Sequence, residues 1–266
     1  MKAFLSVDIE GVTGMSSWNE ATRTHADYGL FRDRMQLEAA AACEGLLAGG
    51  ATEVLVRDAH STARNLDGEQ FPRGVRLLSG WARHPLSMVQ GLDESYDAVL
   101  YVGYHARAGS EGNPLSHTMS SSKVAEIFLN GEALSEFRLH ALAAATLGVP
   151  SILLSGDQAI CDEAKAFLPA IQTISTKVGL GASVLSRHPL EVREELRQKA
   201  ETAIRSDLAS CLPPLPDTFE LEVRYHKHLD AQNNSFYPGA ERLDACRLAF
   251  STSRYEEILR FIHFCV

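Results

Sequence analysis

Cysteine is scarce and poorly placed for staples. The five residues (Cys43, Cys161, Cys211, Cys246, Cys265) are odd in number, and no two form a C-x-x-C pair. That removes a thioredoxin-type motif and a four-thiolate zinc site. It predicts free thiols in a reducing cytoplasm, with Cys43 and Cys161 acting as small apolar residues in helix-like stretches. No apolar run approaches the ~18 residues of a membrane-spanning helix. The opening stretch Ala3-Phe4-Leu5-Ser6-Val7 is too short for a signal peptide and meets Asp8 at once. Basic charge is also short, with 25 Lys+Arg against 34 Asp+Glu and a net charge of -9. This argues against nucleic acid and anionic membranes as partners, because neutralising phosphates takes clustered Lys and Arg. Several signatures of chemistry are missing as well. There is no G-x-G-x-x-G, Walker loop, G-x-S-x-G or H-E-x-x-H, which removes the dinucleotide, P-loop, serine-elbow and single-helix zincin readings.

What is present is an alternation of apolar runs and helical patterns over 266 residues. Strands are expected at 3–7, 53–56, 98–102, 123–129, 151–154 and 171–176. Helices are expected at 32–47, stopping at Gly49-Gly50, and at 134–147, closing at Gly148. Such alternation implies βαβ units. After Pro189 the pattern changes to a charged helix at 190–206, a proline-rich break at 212–216, strands at 218–225 and 247–250, and a last helix at 255–264. The predicted fold is α/β, a mainly parallel sheet flanked by helices, with a smaller C-terminal α+β unit. The expected division is a metal-binding catalytic domain at 1–188 and a smaller domain at 189–266.

Three of the strands run into polar residues able to hold a metal: Val7-Asp8-Ile9-Glu10, Arg57-Asp58-Ala59-His60, and Gly103-Tyr104-His105. In an open parallel sheet the carboxyl ends of the strands share one edge, where ligands bind. Asp8, Glu10, His60 and His105 can therefore meet although they are far apart in sequence. Asp8 and Glu10, two apart, face one side if the strand continues. Adjacent carboxylates repel, and a cation is the usual compensation. Mixed imidazole and carboxylate donors suit zinc or another first-row ion. Each residue also has a plainer reading: Asp8 as a helix cap, Asp58 as a turn former, a lone histidine as a hydrogen-bonded core residue. The recurrence of one design at three strand ends favours the metal. Ser116-His117-Thr118 lies in a small, polar loop that can cover a site and offer a general acid or base. Glu136 starts a helix with Ser135 as a cap, and Glu132 beside the Asn130-Gly131 turn reads as exposed. Lys177, ending the strand at 171–176, reads first as a surface lysine and second as a holder of a substrate carboxylate.

The blocks Ser6-Val7-Asp8-Ile9-Glu10-Gly11, Asp58-Ala59-His60-Ser61, Gly103-Tyr104-His105-Ala106-Arg107-Ala108 and Ser116-His117-Thr118-Met119 resemble, in order and spacing, the zinc D-aminopeptidases of bacterial dipeptide-transport operons. Leu129-Asn130-Gly131, Gly148-Val149-Pro150 and Ser155-Gly156-Asp157 extend the likeness over nearly the whole chain. The resemblance implies two Zn²⁺ per chain. Asp8 would bridge them, Glu10 and His60 would serve one, and His105 and Glu136 the other, with His117 as the catalytic histidine. It also implies a homo-oligomer, a ring-shaped decamer with active sites facing an internal cavity. The expected activity is removal of the N-terminal residue of short peptides, D-alanyl peptides in particular, by a hydroxide shared between the metals. Two rivals stand beside it: a two-metal exonuclease of the Asp-x-Glu type, and a peptide-binding protein with a closed, structural zinc shell.

Overall fold

The computed structural model describes residues 1–266 throughout. In chain order the elements are β1 (Lys2–Val7), α1 (Trp18–Ala21), α2 (Tyr28–Ala48), β2 (Glu53–Asp58), β3 (Val75–Leu78), β4 (Ala98–Tyr104), β5 (Val124–Leu129), β6 (Glu132–Ala133), α3 (Glu136–Thr146) and β7 (Ser151–Asp157). They continue as α4 (Gln158–Phe167), β8 (Gln172–Leu180), β9 (Ser183–Ser186), α5 (Pro189–Ile204), β10 (Phe219–Tyr225), α6 (His228–Asn234), β11 (Glu241–Arg242), β12 (Arg247–Thr252) and α7 (Tyr255–Cys265).

The larger sheet has the order β3-β2-β1-β4-β7-β8-β9, parallel except for the β8–β9 hairpin. Its central strands are apolar on both faces, as a sheet covered by helices requires, and every residue of β4 and β7 is buried. Parallel pairing of β1 with β2 and β4 sets Val7 beside both Asp58 and Val102. The residues that follow these strands therefore emerge together at one edge. The α/β architecture with a mainly parallel sheet is as expected. Helix α2 begins at Tyr28 rather than at Arg32, because Tyr28 is itself buried and donates its hydroxyl to Asn65 Oδ1. On the outside of the sheet α2 lies along α5. Gly45 permits the approach, since a Cβ there would overlap the Arg197 carbonyl.

The second sheet is antiparallel, in the order β11-β12-β10-β5-β6. Two of its strands come from 124–133, so the division expected at 188/189 does not separate the sheets. Strand β5 buries Val124, Ile127 and Leu129 and half-exposes the residues between, the pattern of a strand solvated on one face, and it pairs with β10. Helix α5, placed by sequence in the smaller unit, packs on the larger sheet instead. A single cluster of 70 buried residues includes Leu5 and Val99 of one sheet and Leu221 and Leu248 of the other, so the two share one core. Tyr255 ties α7 to α3 by donating its hydroxyl to the Leu139 carbonyl at 2.7 Å.

Candidate metal centre

Strand β1 stops at Val7, so Asp8 and Glu10 sit in the turn after it rather than on the strand. Their carboxylates still converge, but through that turn and not through the strand pleat. Gly103, at φ +73°, allows it: a Cβ there would overlap the Asp8 carbonyl as the turn crosses β4. His60 arrives from the loop after β2 and His105 directly from the end of β4. Glu136 is the first residue of α3, capped by Ser135, whose hydroxyl accepts from Arg138 N. His117 comes from the small-residue loop before β5.

All six expected residues meet in two adjoining groups, Asp8–Glu10–His60 and His105–His117–Glu136. Within each group the donor atoms lie within 4.8 Å of one another. Asp8 joins the groups. Its Oδ1 is 3.2 Å from His60 Nδ1, and its Oδ2 is 3.5 Å from His105 Nε2. Glu10 Oε2 is 3.2 Å from His60 Nδ1, and Glu136 Oε2 is 3.4 Å from His105 Nε2. His117 Nε2 lies 3.6 Å from Glu136 Oε1. Each imidazole turns its other nitrogen to a backbone carbonyl: His60 Nε2 to Ala21, His105 Nδ1 to Ala106 and His117 Nδ1 to Leu115, all at 2.9 Å. Those contacts fix the tautomers, leaving the inward nitrogens free to accept a cation.

Three carboxylates this deeply buried need positive charge. Burial and the adjacent Glu10 push the Asp8 carboxyl up to about 8. Burial opposes ionisation of Glu10 and Glu136 too, but their histidines outweigh it: His60 holds Glu10 well below the carboxylate range, and His105 holds Glu136 at about 2. In return, and against burial, Glu10 raises His60 far above its ordinary value and Glu136 raises His105 to about 10. His117 moves the other way, lowered by burial and by His105. Glu10 Oε2 and His105 Nε2 are buried with no hydrogen-bond partner. Six imidazole and carboxylate donors, two of them orphaned and facing inward, fit a first-row divalent ion well.

A second layer holds these groups in place. Lys177 corrects its sequence reading, because it is wholly buried, neither on the surface nor facing substrate. Its Nζ donates to the carbonyls of Glu10 at 2.5 Å and Met15 at 2.7 Å, clamping the turn after β1. Burial lowers the Lys177 ammonium to about 8, even with Asp157 and Glu38 nearby. Asn113 donates to the same Glu10 carbonyl and to Asp157. Asp58 is the turn former expected, accepting from Asn65 N, Asn65 Nδ2 and Leu66 N. Glu132 is exposed and paired with Arg138.

The groups border a cavity of about 800 Å³. A closed structural metal shell would be sealed from solvent, whereas Asp8, Glu10, His60, His117 and Glu136 all line this cavity. Trp18, Arg23, Trp81, Arg83, His84 and His263 line the cavity and were missed by sequence reasoning. Only Trp18 carried a signal, sitting just after Ser17 in a capping box closed by Glu20. The ring of Trp18 meets His117 edge-on at 5.1 Å, and His117 stacks on His105 at 4.2 Å. Ser61, Arg83, Ser87 and Met119, all in this wall, have positive φ without being glycine. Backbone held in this way is characteristic of functional sites.

The comparisons agree with this geometry. The peptidase M55 family, described as D-aminopeptidase, matches residues 1–264. The D-aminopeptidase of Bacillus subtilis (strain 168) is 31% identical over 243 residues, covering 91% of this chain and 87% of its own. A solved structure, the Zn-dependent D-aminopeptidase DppA from Bacillus subtilis, described as a self-compartmentalizing protease, superposes with a TM-score of 0.92 at 28% identity. That likeness covers 100% of this chain and 96% of the other. With metal-competent groups at the strand ends and a family match along nearly its whole length, the chain belongs to the M55 D-aminopeptidases, hydrolases that act on peptide bonds.

Proposed function

We propose that the protein is a two-zinc aminopeptidase that removes the N-terminal residue, D-alanine in particular, from short peptides. The observation that carries the reading is Asp8, whose two oxygens face the two donor groups separately. Asp8 would bridge the ions, with Glu10 and His60 holding one and His105 and Glu136 the other. Bound zinc supplies Lewis acidity and brings the pKa of a water towards neutrality. Proton transfer falls to His117. With Nδ1 donating to Leu115, its Nε2 faces the site unprotonated, ready to take a proton from the attacking water and pass it to the leaving amine. Its lowered pKa keeps that nitrogen free at neutral pH. Trp18 and His105 fix the plane of its ring. The D-preference rests on the names of the relatives.

The same reading takes the chain as a homo-oligomer, in a ring of ten. It is supported by the self-compartmentalizing relative and by the exposed Leu229, Phe236 and Phe264, at 60%, 77% and 66%. Elemental analysis of the purified protein, beside a panel of D- and L-aminoacyl dipeptides and a mass measurement in solution, tests both parts. Two equivalents of zinc and turnover of the D-series are expected. His60→Ala and His105→Ala should each abolish hydrolysis, and full activity of either variant without metal would overturn the reading.

A further inference from the structure

We infer that Arg23 and Arg83, with His84 and His263, form a carboxylate-recognition subsite in the cavity wall, one that selects peptides short enough to bring their own C-terminal carboxylate to it. The inference rests on the aminopeptidase reading, which puts the peptide's amino end at the metals and leaves its other end in the same cavity. Every carboxylate lining the cavity, namely Asp8, Glu10 and Glu136, belongs to the metal groups. The remaining wall holds no acid, although acidic residues outnumber basic ones in the chain, 34 to 25.

The arginines of that wall are also without acidic partners. Several exposed arginines elsewhere pair with carboxylates, as Arg197 does with Glu44, Arg205 with Glu201 and Arg260 with Glu257, although Arg64 and Arg73, outside the cavity, make no ion pair either. Arg83 makes no ion pair, and its side chain makes no hydrogen bond within the chain. Arg23 makes only one hydrogen bond, to the Arg64 carbonyl at 2.9 Å. The segment that presents Arg83 is held firmly. Arg83 has φ +55°, and the nearby Trp81 is pinned by its indole N–H to the Ser61 carbonyl at 2.7 Å and by the Arg57 guanidinium 4.2 Å from its ring. A guanidinium without a partner, carried on a held backbone beside an aromatic wall, is free to bind a carboxylate in the bidentate mode. A volume of about 800 Å³ has room for a peptide of two or three residues between this wall and the metal groups.

The same chemistry can come from the peptide's C-terminus or from an acidic side chain, and three probes separate them. These are a D-alanyl-alanine dipeptide, its C-terminal amide, and the amide of D-alanyl-glutamate. Turnover by the zinc-loaded protein and calorimetric binding are read together. The free dipeptide is expected to exceed its amide by roughly 10- to 100-fold in kcat/KM, chiefly through KM, with the same order in binding. Arg83→Gln and Arg23→Gln should each narrow that ratio, whereas a merely structural role would weaken acid and amide alike. Equal handling of acid and amide by the wild type overturns the inference. Recovery by the glutamate amide overturns the C-terminal assignment in favour of a side-chain carboxylate. Tighter binding of the free acid with hydrolysis of neither probe would support the subsite and overturn the peptidase reading instead.

Discussion

Asp8 stands between two histidines that, without metal, carry the protons a cation would replace. His60 and His105 are both raised above neutrality and Asp8 sits near 8, so at pH 7.5 the metal-free site holds extra protons. Zinc requires the deprotonated donors, so uptake of two ions should release about two to three protons, and affinity should rise with pH. Calorimetry in buffers of different ionisation enthalpy measures this, and no proton release would contradict the assigned ligands. His117 lies close enough to Glu136 to be a ligand instead, and His117→Gln separates the roles. As proton carrier it should keep both zinc ions and lose kcat by roughly 10²- to 10⁴-fold, whereas loss of one equivalent of zinc would make it a ligand. His140 gives a stability prediction. It is buried, with Nδ1 donating to the Glu136 carbonyl at 2.7 Å, and burial lowers its pKa to about 4. Between that value and its ordinary 6.5 the unfolded chain binds a proton that the folded chain refuses. Stability therefore falls as pH drops through this window, by on the order of 3 kcal/mol from this group. His140→Gln should flatten the slope of denaturant stability from pH 7 to pH 4 relative to the wild type.

Among the elements, the turn after β1 depends on a residue far along the chain. Lys177→Met removes the two hydrogen bonds to the Glu10 and Met15 carbonyls while keeping the bulk. Zinc affinity should fall by roughly 10- to 100-fold with the circular dichroism unchanged; unaltered affinity would leave Lys177 as core filling. The contrast between this lysine and the strand-end histidines shows what a sequence makes legible. Parallel strands must release their following residues on one edge, so Asp8, Glu10, His60 and His105 were placeable from strand order alone. The residue classes at Ser135 and Glu136 likewise mark a helix start. Lys177 looks the same locally whether its amine meets water or two carbonyls, because its partners are more than a hundred residues away. Strand β5 was recognised as a strand, but alternation does not say which sheet it joins, and its partner β10 lies across the intervening chain. Short elements such as β3, β9 and α1, of four residues each, are too brief to show a period. The cavity wall was hidden for the same reason, since Arg23, Arg83 and His263 come together only through tertiary packing.

For the whole molecule, the shared core sets a limit on division. A fragment of residues 1–188 lacks α5, which covers α2, and lacks β10, the partner of β5, together with β12, which pairs with β10. It should show no cooperative unfolding transition, and a sharp one would restore the boundary at 188/189. No helix is long and apolar enough to cross a membrane. The first and last elements of the chain both border the cavity, Asp8 following β1 and His263 lying on α7. During synthesis, then, the six proposed metal-site residues, the last of them Glu136, have all left the ribosome while much of the chain is still unmade. A growing polypeptide can meet its metal early, but it gains the enclosure that admits one substrate and refuses another only once its final helix has docked.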